Sequence, residues 1–224
     1  MEEFNTEDRN KDFLVKKGSS KLTVAFAGLP GGLCEVRHDF YNATSGLDCS
    51  KIYVKDPEAI WYQHGINSEI NTIAALHNKL QKTILDLNPT EITCIGISAG
   101  GYAAILFGAL LKVNRVEAFG PQTFLDPRIA EDYSIASWLD TQLKRMYDVI
   151  TDRTYWDLRN FIDLSYNTKQ IIHVCNQHKE DLIHANWISH FPNVIIKEYD
   201  CAEHAPASYL KRFNLLVNVL ENKQ

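Results

Sequence analysis

One serine lies in a pattern that nucleophilic catalysis uses. Ser98 is the centre of Gly96-Ile97-Ser98-Ala99-Gly100, a G-x-S-x-G pattern between an apolar run and an apolar helical segment. A sharp turn from a strand into a helix exposes the serine hydroxyl, and small neighbours permit such a turn. The helix N-terminus behind the serine presents unpaired N–H groups to a developing oxyanion. The pattern predicts a nucleophile at Ser98, and the alternative is a serine that only caps the helix.

Short apolar runs alternate with segments of helical spacing along the chain. The runs are rich in β-branched residues, which is typical of strands buried on both faces of a parallel sheet. Strands are predicted at 21–28, 50–54, 91–98, 115–119, 170–176 and 193–199, with a further short run at 12–15, and helices at 66–87, 99–111 and 205–220. The alternation predicts an α/β fold, a mostly parallel sheet with helices on both faces, in a single domain that spans residues 1–224.

The strand, the turn at Ser98 and the following helix resemble the nucleophile elbow of the α/β-hydrolase superfamily. The resemblance covers the chain from about Lys21 onward and implies an α/β-hydrolase fold with a shortened N-terminus. The stretches 100–104 and 119–123 also resemble a group of small bacterial hydrolase-like proteins. In the superfamily a serine, an acid and a histidine follow one another in this order along the chain.

The resemblance implies a base and an acid for Ser98. The family places its histidine between the last strand and the C-terminal helix, where this chain has His204 followed by Pro206. An imidazole titrates near neutral pH, so it can accept the serine proton and return it to a leaving group. The acid follows the preceding strand, where Asp181 is favoured and Glu180 is the alternative, after a run longer than is usual in the family. The other interpretation is a polar loop histidine and a solvated acidic pair.

The resemblance also implies an oxyanion hole made of two backbone N–H groups. One is that of Ala99, and the other is that of Leu29, in the loop after the first long strand. Pro30 cannot serve because it has no N–H group. Ala27 stands where the family usually has a histidine, so an ordinary Pro-Gly turn is the alternative.

A long segment separates the fourth and fifth of the main predicted strands. Residues 121–168 are interpreted as a cap insertion over the active site, with stretches of helical spacing. Its aromatic residues either line a substrate pocket or pack into the core, and no substrate-binding residue is assigned. They are Phe124, Tyr133, Trp138, Tyr147, Tyr155, Trp156 and Phe161.

Composition argues against several classes of function. The net charge of −5 disfavours a nucleic-acid partner, which requires a concentrated basic face. No apolar run is long enough to span a membrane, and the N-terminal segment lacks a signal-peptide layout, so a cytoplasmic location is expected. Five scattered cysteines without a CxxC pair indicate neither a zinc site nor a disulfide framework, and Cys94 and Cys175 are expected to be small buried hydrophobic residues.

The sequence therefore predicts a serine hydrolase that cleaves an ester or thioester of a small-molecule or acylated substrate. Ser98 would form the acyl-enzyme, His204 would be the base and then the acid, and Asp181 would orient the imidazole. No metal and no cofactor are expected. Acyl transfer to an alcohol through the same triad is one alternative, and a catalytically inactive, hydrolase-like binding or scaffold protein is the other.

Overall fold

The centre of the molecule is a mostly parallel β-sheet. A computed structural model describes residues 10–30, 37–133, 140–162, 167–204 and 206–223. Within these residues the sheet has seven strands in the order β1-β3-β2-β4-β5-β6-β7, and only β1 and β3 pair antiparallel. The strands are β1 Phe13–Lys16, β2 Lys21–Phe26, β3 Ser50–Val54, β4 Glu91–Ile97, β5 Arg115–Phe119, β6 Lys169–Cys175 and β7 Val194–Tyr199. The predicted α/β class is confirmed.

Helices connect these strands and flank the sheet. In the described residues they are α1 Tyr41–Thr44, α2 Ile73–Leu87, α3 Ala99–Leu111, α4 Pro127–Asp132, α5 Asp140–Val149, α6 Arg159–Ile162, α7 Lys179–Ile188, α8 Pro206–Arg212 and α9 Leu216–Leu220. Helix α3 has the predicted bounds, whereas α2 begins later than predicted because the Thr72 side chain caps it by accepting from the N–H of Ala75. The single helix predicted at 205–220 is wrong. The chain breaks into α8 and α9 near Asn214, which has a left-handed φ of 58°.

Apolar side chains cover both faces of the sheet because successive strand residues point to opposite sides. On one face, Val24 and Cys94 pack with α2 and α3 in the larger core cluster. On the other face, Ala25 and Ile95 pack with Tyr41 of α1 and with residues of α8 and α9. Helix α3 is buried over nearly its whole length, which explains why its sequence is apolar all round.

The segment between β5 and β6 carries α4, α5 and α6. Phe124, Trp156 and Phe161 are buried there, and Tyr147 and Tyr155 pack against the larger core, so these five aromatic residues are part of the core. Tyr133 is exposed, and Trp138 lies outside the described residues. The interpretation of residues 121–168 as a cap remains a prediction.

A disulfide bond joins the chain segments that follow β6 and β7. Cys175 and Cys201 are bonded, although 26 positions separate them in the sequence. The spacing of the cysteines does not indicate this bond, and the expectation of a buried free thiol at Cys175 is wrong. The parallel pairing of β6 with β7 places Cys175 opposite Tyr199, which brings Cys201 within bonding distance. Cys94 is a free, buried thiol, as expected.

A membrane-spanning helix needs about 20 mostly apolar residues, and the helices in the described part of the chain are shorter or more polar than this. None of them is long and apolar enough to cross a membrane.

Candidate active site

Ser98 lies in a strained turn between β4 and α3. Its backbone has φ 53° and ψ −121°, a combination that non-glycine residues rarely adopt and that recurs at functional sites. The N–H of Ser98 donates to the carbonyl of Phe119, 2.9 Å away, at the end of the neighbouring strand β5. The Ser98 side chain makes no capping hydrogen bond with α3, so the structure does not favour the interpretation as a helix cap.

The two glycines of the pattern are required because backbone segments approach closely at this turn. A Cβ atom on Gly96 would lie 2.0 Å from the carbonyl oxygen of Gly100. A Cβ atom on Gly100 would lie 2.2 Å from the carbonyl oxygen of Phe26, in β2. Any other residue at these positions would collide with the backbone, so the spacing of the pattern matches the steric needs of the turn.

An acid–base pair lies at the carboxyl ends of β6 and β7. The Nδ1 atom of His204 is 2.6 Å from Oδ1 of Asp181, which is the short distance of a charge-assisted hydrogen bond. Asp181 is buried in the first turn of α7, and His204 follows β7 just before α8. Of the two acidic residues that the sequence offers for this role, Asp181 makes the hydrogen bond to His204. Donation from Nδ1 would leave Nε2 as the basic nitrogen of a neutral imidazole.

Gly120 links the serine turn to the acid–base pair. It follows Phe119, whose carbonyl binds the N–H of Ser98, and it has a left-handed φ of 54°. A Cβ atom on Gly120 would lie 3.0 Å from Cε1 of His204 and 3.2 Å from Oδ2 of Asp181. The backbone at Gly120 therefore packs directly against the pair. Because β5 lies between β4 and β6, the parallel sheet brings Ser98, Asp181 and His204 to one edge.

Gln122 is a polar neighbour of the Ser98 hydroxyl that the sequence analysis did not assign. Its Nε2 atom is 3.4 Å from Oγ of Ser98, and its Oε1 atom accepts a hydrogen bond of 3.1 Å from the indole N–H of Trp61. The bond from Trp61 fixes the orientation of the amide, since only Oε1 can accept. Both amide atoms of Gln122 thereby lie near Oγ of Ser98, Nε2 at 3.4 Å and Oε1 at 3.5 Å.

A buried carboxyl group holds the segment that carries Trp61. Oδ2 of Asp56 accepts hydrogen bonds of 2.8 Å from the N–H groups of Ile60 and Tyr62, and burial raises the Asp56 pKa to about 6. These bonds maintain left-handed φ angles at Ala59, Trp61 and Tyr62. The Tyr62 hydroxyl donates to the carbonyl of Ala27, 2.8 Å away, so the same segment also supports the end of β2.

The two predicted oxyanion donors follow the ends of two neighbouring strands, β4 and β2. Ala99 follows Ser98, and Leu29 follows β2, which pairs with β4 so that Phe26 is opposite Gly96. The N–H of Gly28, next to Leu29, donates to Oδ2 of Asp39 at 2.8 Å. Burial raises the pKa of Asp39, an effect that the hydrogen bond from Gly28 partly offsets. Asp39 thus orients the start of this loop, of which residues 31–36 lie outside the described chain.

Two further histidines surround the acid–base pair. Burial lowers the pKa of His184 to about 3, and its Nδ1 atom accepts from the N–H of Thr123 at 3.2 Å, so this imidazole is neutral. Nδ1 of His178 lies 3.1 Å from the Asp181 oxygen that binds His204. In the described chain, His178, Asp181 and His204 are the group whose ligand atoms lie close enough to hold a metal ion. A metal bound there would replace the hydrogen bond between Asp181 and His204.

The fold can be compared with known proteins. No protein-family model matches the chain, and no curated protein matches it. Solved structures do match. The capsule O-acetyltransferase of Neisseria meningitidis serogroup A is 16% identical, with 97% of each chain covered and a TM-score of 0.68. The S-formylglutathione hydrolase of Agrobacterium tumefaciens is 13% identical, with 94% of this chain and 88% of that chain covered and a TM-score of 0.60.

A third matching structure is itself named as an α/β hydrolase. An α/β-hydrolase enzyme, MGS-MChE2, from a metagenome of lagoon sediments at Mar Chica, Morocco, is 16% identical, with 94% of each chain covered and a TM-score of 0.58. The chain has the α/β-hydrolase fold. At these low sequence identities the comparisons show the fold, and the reaction has to be inferred from the residues of the candidate site.

Proposed function

We propose that this α/β-hydrolase-fold chain is a serine hydrolase that cleaves an ester or thioester through an acyl-enzyme on Ser98. The observation that carries the proposal is the 2.6 Å hydrogen bond between Asp181 and His204, at the sheet edge where Ser98 occupies its strained turn. A buried carboxylate on one imidazole nitrogen leaves the other nitrogen to act as a base. The proposed reaction uses these three side chains and requires neither a metal nor a cofactor.

In the first half of the proposed reaction, Oγ of Ser98 attacks the carbonyl carbon of the substrate. His204 accepts the hydroxyl proton on Nε2, and Asp181 stabilises the resulting imidazolium through its bond to Nδ1. When the tetrahedral intermediate collapses, His204 gives this proton to the departing oxygen or sulfur. The products of this half are the free alcohol or thiol and an ester on Ser98.

In the second half, water takes the place of the leaving group. His204 removes a proton from the water, the hydroxide attacks the acyl-enzyme, and Ser98 recovers its proton as the carboxylic acid departs. The N–H groups of Leu29 and Ala99 are assigned to the oxyanion in both halves, where one such donor contributes about 3 kcal/mol. Gln122 is assigned to the positioning of the serine hydroxyl, on the strength of its 3.4 Å contact.

Acyl transfer to an alcohol is the second candidate, and one observation favours it. The capsule O-acetyltransferase that the chain resembles in fold is named for transfer of an acetyl group. The two reactions share the acyl-enzyme and differ in the molecule that attacks it. Product analysis with added alcohols separates them, because an acyltransferase forms a new ester where a hydrolase forms only the acid.

A cytoplasmic location remains a prediction from the sequence, and the disulfide argues against it. Structural disulfides are rare where thiols are kept reduced, and the bond between Cys175 and Cys201 joins the segments that follow β6 and β7, shortly before Asp181 and His204. Secretion, or residence in an oxidising compartment, is therefore the alternative. Fractionation of the producing cell, with reducing and non-reducing mass analysis of the protein, decides between them.

The proposal is tested by the hydrolysis of 4-nitrophenyl acetate and of S-acetyl-N-acetylcysteamine, a neutral thioester. We expect Ser98→Ala and His204→Ala each to lower kcat on the order of 10⁴-fold or more, because triad members act as a unit. Ser45→Ala is the matched control, since Ser45 is an exposed serine outside the site. Wild-type activity that survives in both triad variants would refute the assignment, and a folded wild-type protein without turnover would favour the inactive scaffold.

A further inference from the structure

A cavity of about 780 Å³ lies beside the candidate active site, on the sheet face covered by α1, α8 and α9. Its lining comes from segment 37–43, from Ile97 at the end of β4, and from α8 and α9. Ile97 precedes Ser98, and Ala207 and Ser208 of the lining follow His204 by three and four positions. The cavity is large enough for a small-molecule ligand.

The charges around this cavity are opposite in sign to the charge of the whole chain. Arg37 and Lys211 belong to its lining, whereas the chain has a net charge of −5. Asp39 is the carboxylate among the described lining residues, and its Oδ2 atom is engaged by the N–H of Gly28 at 2.8 Å. Two cations thus face one carboxylate in the described lining, which leaves an excess of positive charge, and guanidinium and ammonium groups bind phosphate and carboxylate well.

The position of the cavity indicates which part of a substrate it holds. In the proposed reaction His204 gives its proton to the leaving group, so the leaving group lies on the His204 side of the serine. Helix α8 begins two residues after His204 and contributes Ala207, Ser208 and Lys211 to the cavity. The lining thus begins three residues along the chain from the histidine that is proposed to protonate the leaving group.

We propose that this cavity binds the anionic portion of the leaving group, a phosphate or a carboxylate, through Arg37 and Lys211. The inference rests on the proposed function and adds a substrate class to it, namely esters or thioesters whose alcohol or thiol part is negatively charged. Positive charge in a cleft raises the local concentration of such substrates, and added salt weakens this effect.

Three acetyl thioesters test the proposal. They are neutral S-acetyl-N-acetylcysteamine, S-acetylglutathione with carboxylates, and acetyl-coenzyme A with phosphates. We expect the wild type to show a higher kcat/KM for at least one anionic thioester than for the neutral one. The combined variant Arg37→Ala/Lys211→Ala should lower this ratio about tenfold, mainly through KM, since each exposed ion pair contributes up to about a factor of five.

Arg212→Ala is the matched control, because Arg212 neighbours Lys211 in α8 but does not line the cavity. Its ratio should equal that of the wild type. Isothermal titration of the Ser98→Ala variant with glutathione and with coenzyme A gives a readout independent of turnover, and Arg37→Ala/Lys211→Ala in that background should weaken the binding.

The outcomes separate this inference from the proposed function. A preference for acetyl-coenzyme A identifies phosphate, and a preference for S-acetylglutathione identifies carboxylate. Turnover of the neutral thioester with no preference for either anion, or an equal ratio in all variants, overturns the inference and leaves the hydrolase proposal intact. If no thioester is turned over, the titration decides. Binding of glutathione or coenzyme A that weakens in the Arg37→Ala/Lys211→Ala variant supports the anion site, and absence of binding overturns it.

Discussion

At the scale of single residues, Gly120 is the position where an added side chain would press directly on the acid–base pair. An added methyl group would meet His204 and Asp181 at 3.0–3.2 Å, and the left-handed φ is itself strained for alanine. We expect Gly120→Ala to lower kcat by 10-fold or more, because displacement of the imidazole by a few tenths of an ångström disturbs proton transfer. Gly46→Ala is the matched control, since nothing lies within 4 Å of its added Cβ. Equal kcat in both variants would show that the pair is not packed as described.

The three residues proposed for the site follow from the sequence alone, whereas the neighbours that hold them are visible only in the structure. Ser98, Asp181 and His204 were named because their types, order and places after strands match a known arrangement. Gly120 and Gln122 act through backbone conformation and through neighbours on other strands. In the sequence, a glycine before a proline such as Gly120 indicates only a turn, and not its contact with His204.

At the scale of elements, the disulfide holds the loops that follow β6 and β7. Cys175 ends β6 six residues before Asp181, and Cys201 lies three residues before His204. We expect Cys175→Ala/Cys201→Ala to lower the free energy of unfolding by about 2–4 kcal/mol, as loss of a disulfide commonly does. Urea unfolding measures this, with and without reductant. If the reductant lowers the stability of the double variant as much as that of the wild type, the effect does not come from this bond.

The sequence predicts helices with a clear apolar pattern well, but it does not predict interruptions of a helix that depend on tertiary contacts. Helix α3 has its predicted bounds because a run of small and apolar residues between Ser98 and Lys112 defines it. The interruption between α8 and α9 depends on a left-handed Asn214, which helical spacing does not reveal. The disulfide was missed because only the register of β6 on β7 brings its cysteines together.

At the scale of the whole molecule, buried ionisable groups join distant parts of the chain. Arg115 in β5 donates to Glu117 at 2.9 Å and to the carbonyl of Leu220 at the end of α9. Glu117 also bonds to His173 of β6, whose pKa burial lowers despite that neighbour. This buried network fastens the C-terminal helix to the centre of the sheet. Removal of one partner from such a network costs about 3–5 kcal/mol.

The pH dependence of stability follows from His184. Its pKa falls from 6.5 to about 3 on folding, so the unfolded chain binds a proton between these values and the folded protein does not. The contribution of His184 to stability is therefore full above pH 6.5 and is lost as the pH falls towards 3. We expect the stability advantage of the wild type over His184→Gln to shrink by up to about 1.4 kcal/mol per pH unit below 6.5.

The experiment compares urea unfolding of the two proteins at several pH values between 4 and 8. Asn186→Gln provides the control, because it changes an exposed residue of the same helix without removing a titratable group, so its difference from the wild type should not change with pH. Comparison with a variant is needed because Asp39 and Asp56, with raised pKa values, act in the opposite direction. A difference between wild type and His184→Gln that is constant with pH would contradict the neutral, buried state of this imidazole.

The central claim, an activated Ser98, is tested most directly by intact-mass measurement after exposure to a fluorophosphonate. Such reagents phosphonylate serines that a neighbouring base activates. We expect one adduct on the wild type at neutral pH and none on Ser98→Ala, with peptide mapping to the segment that holds Ser98. A folded wild-type protein that stays unmodified, or an adduct that persists in Ser98→Ala, would contradict the account.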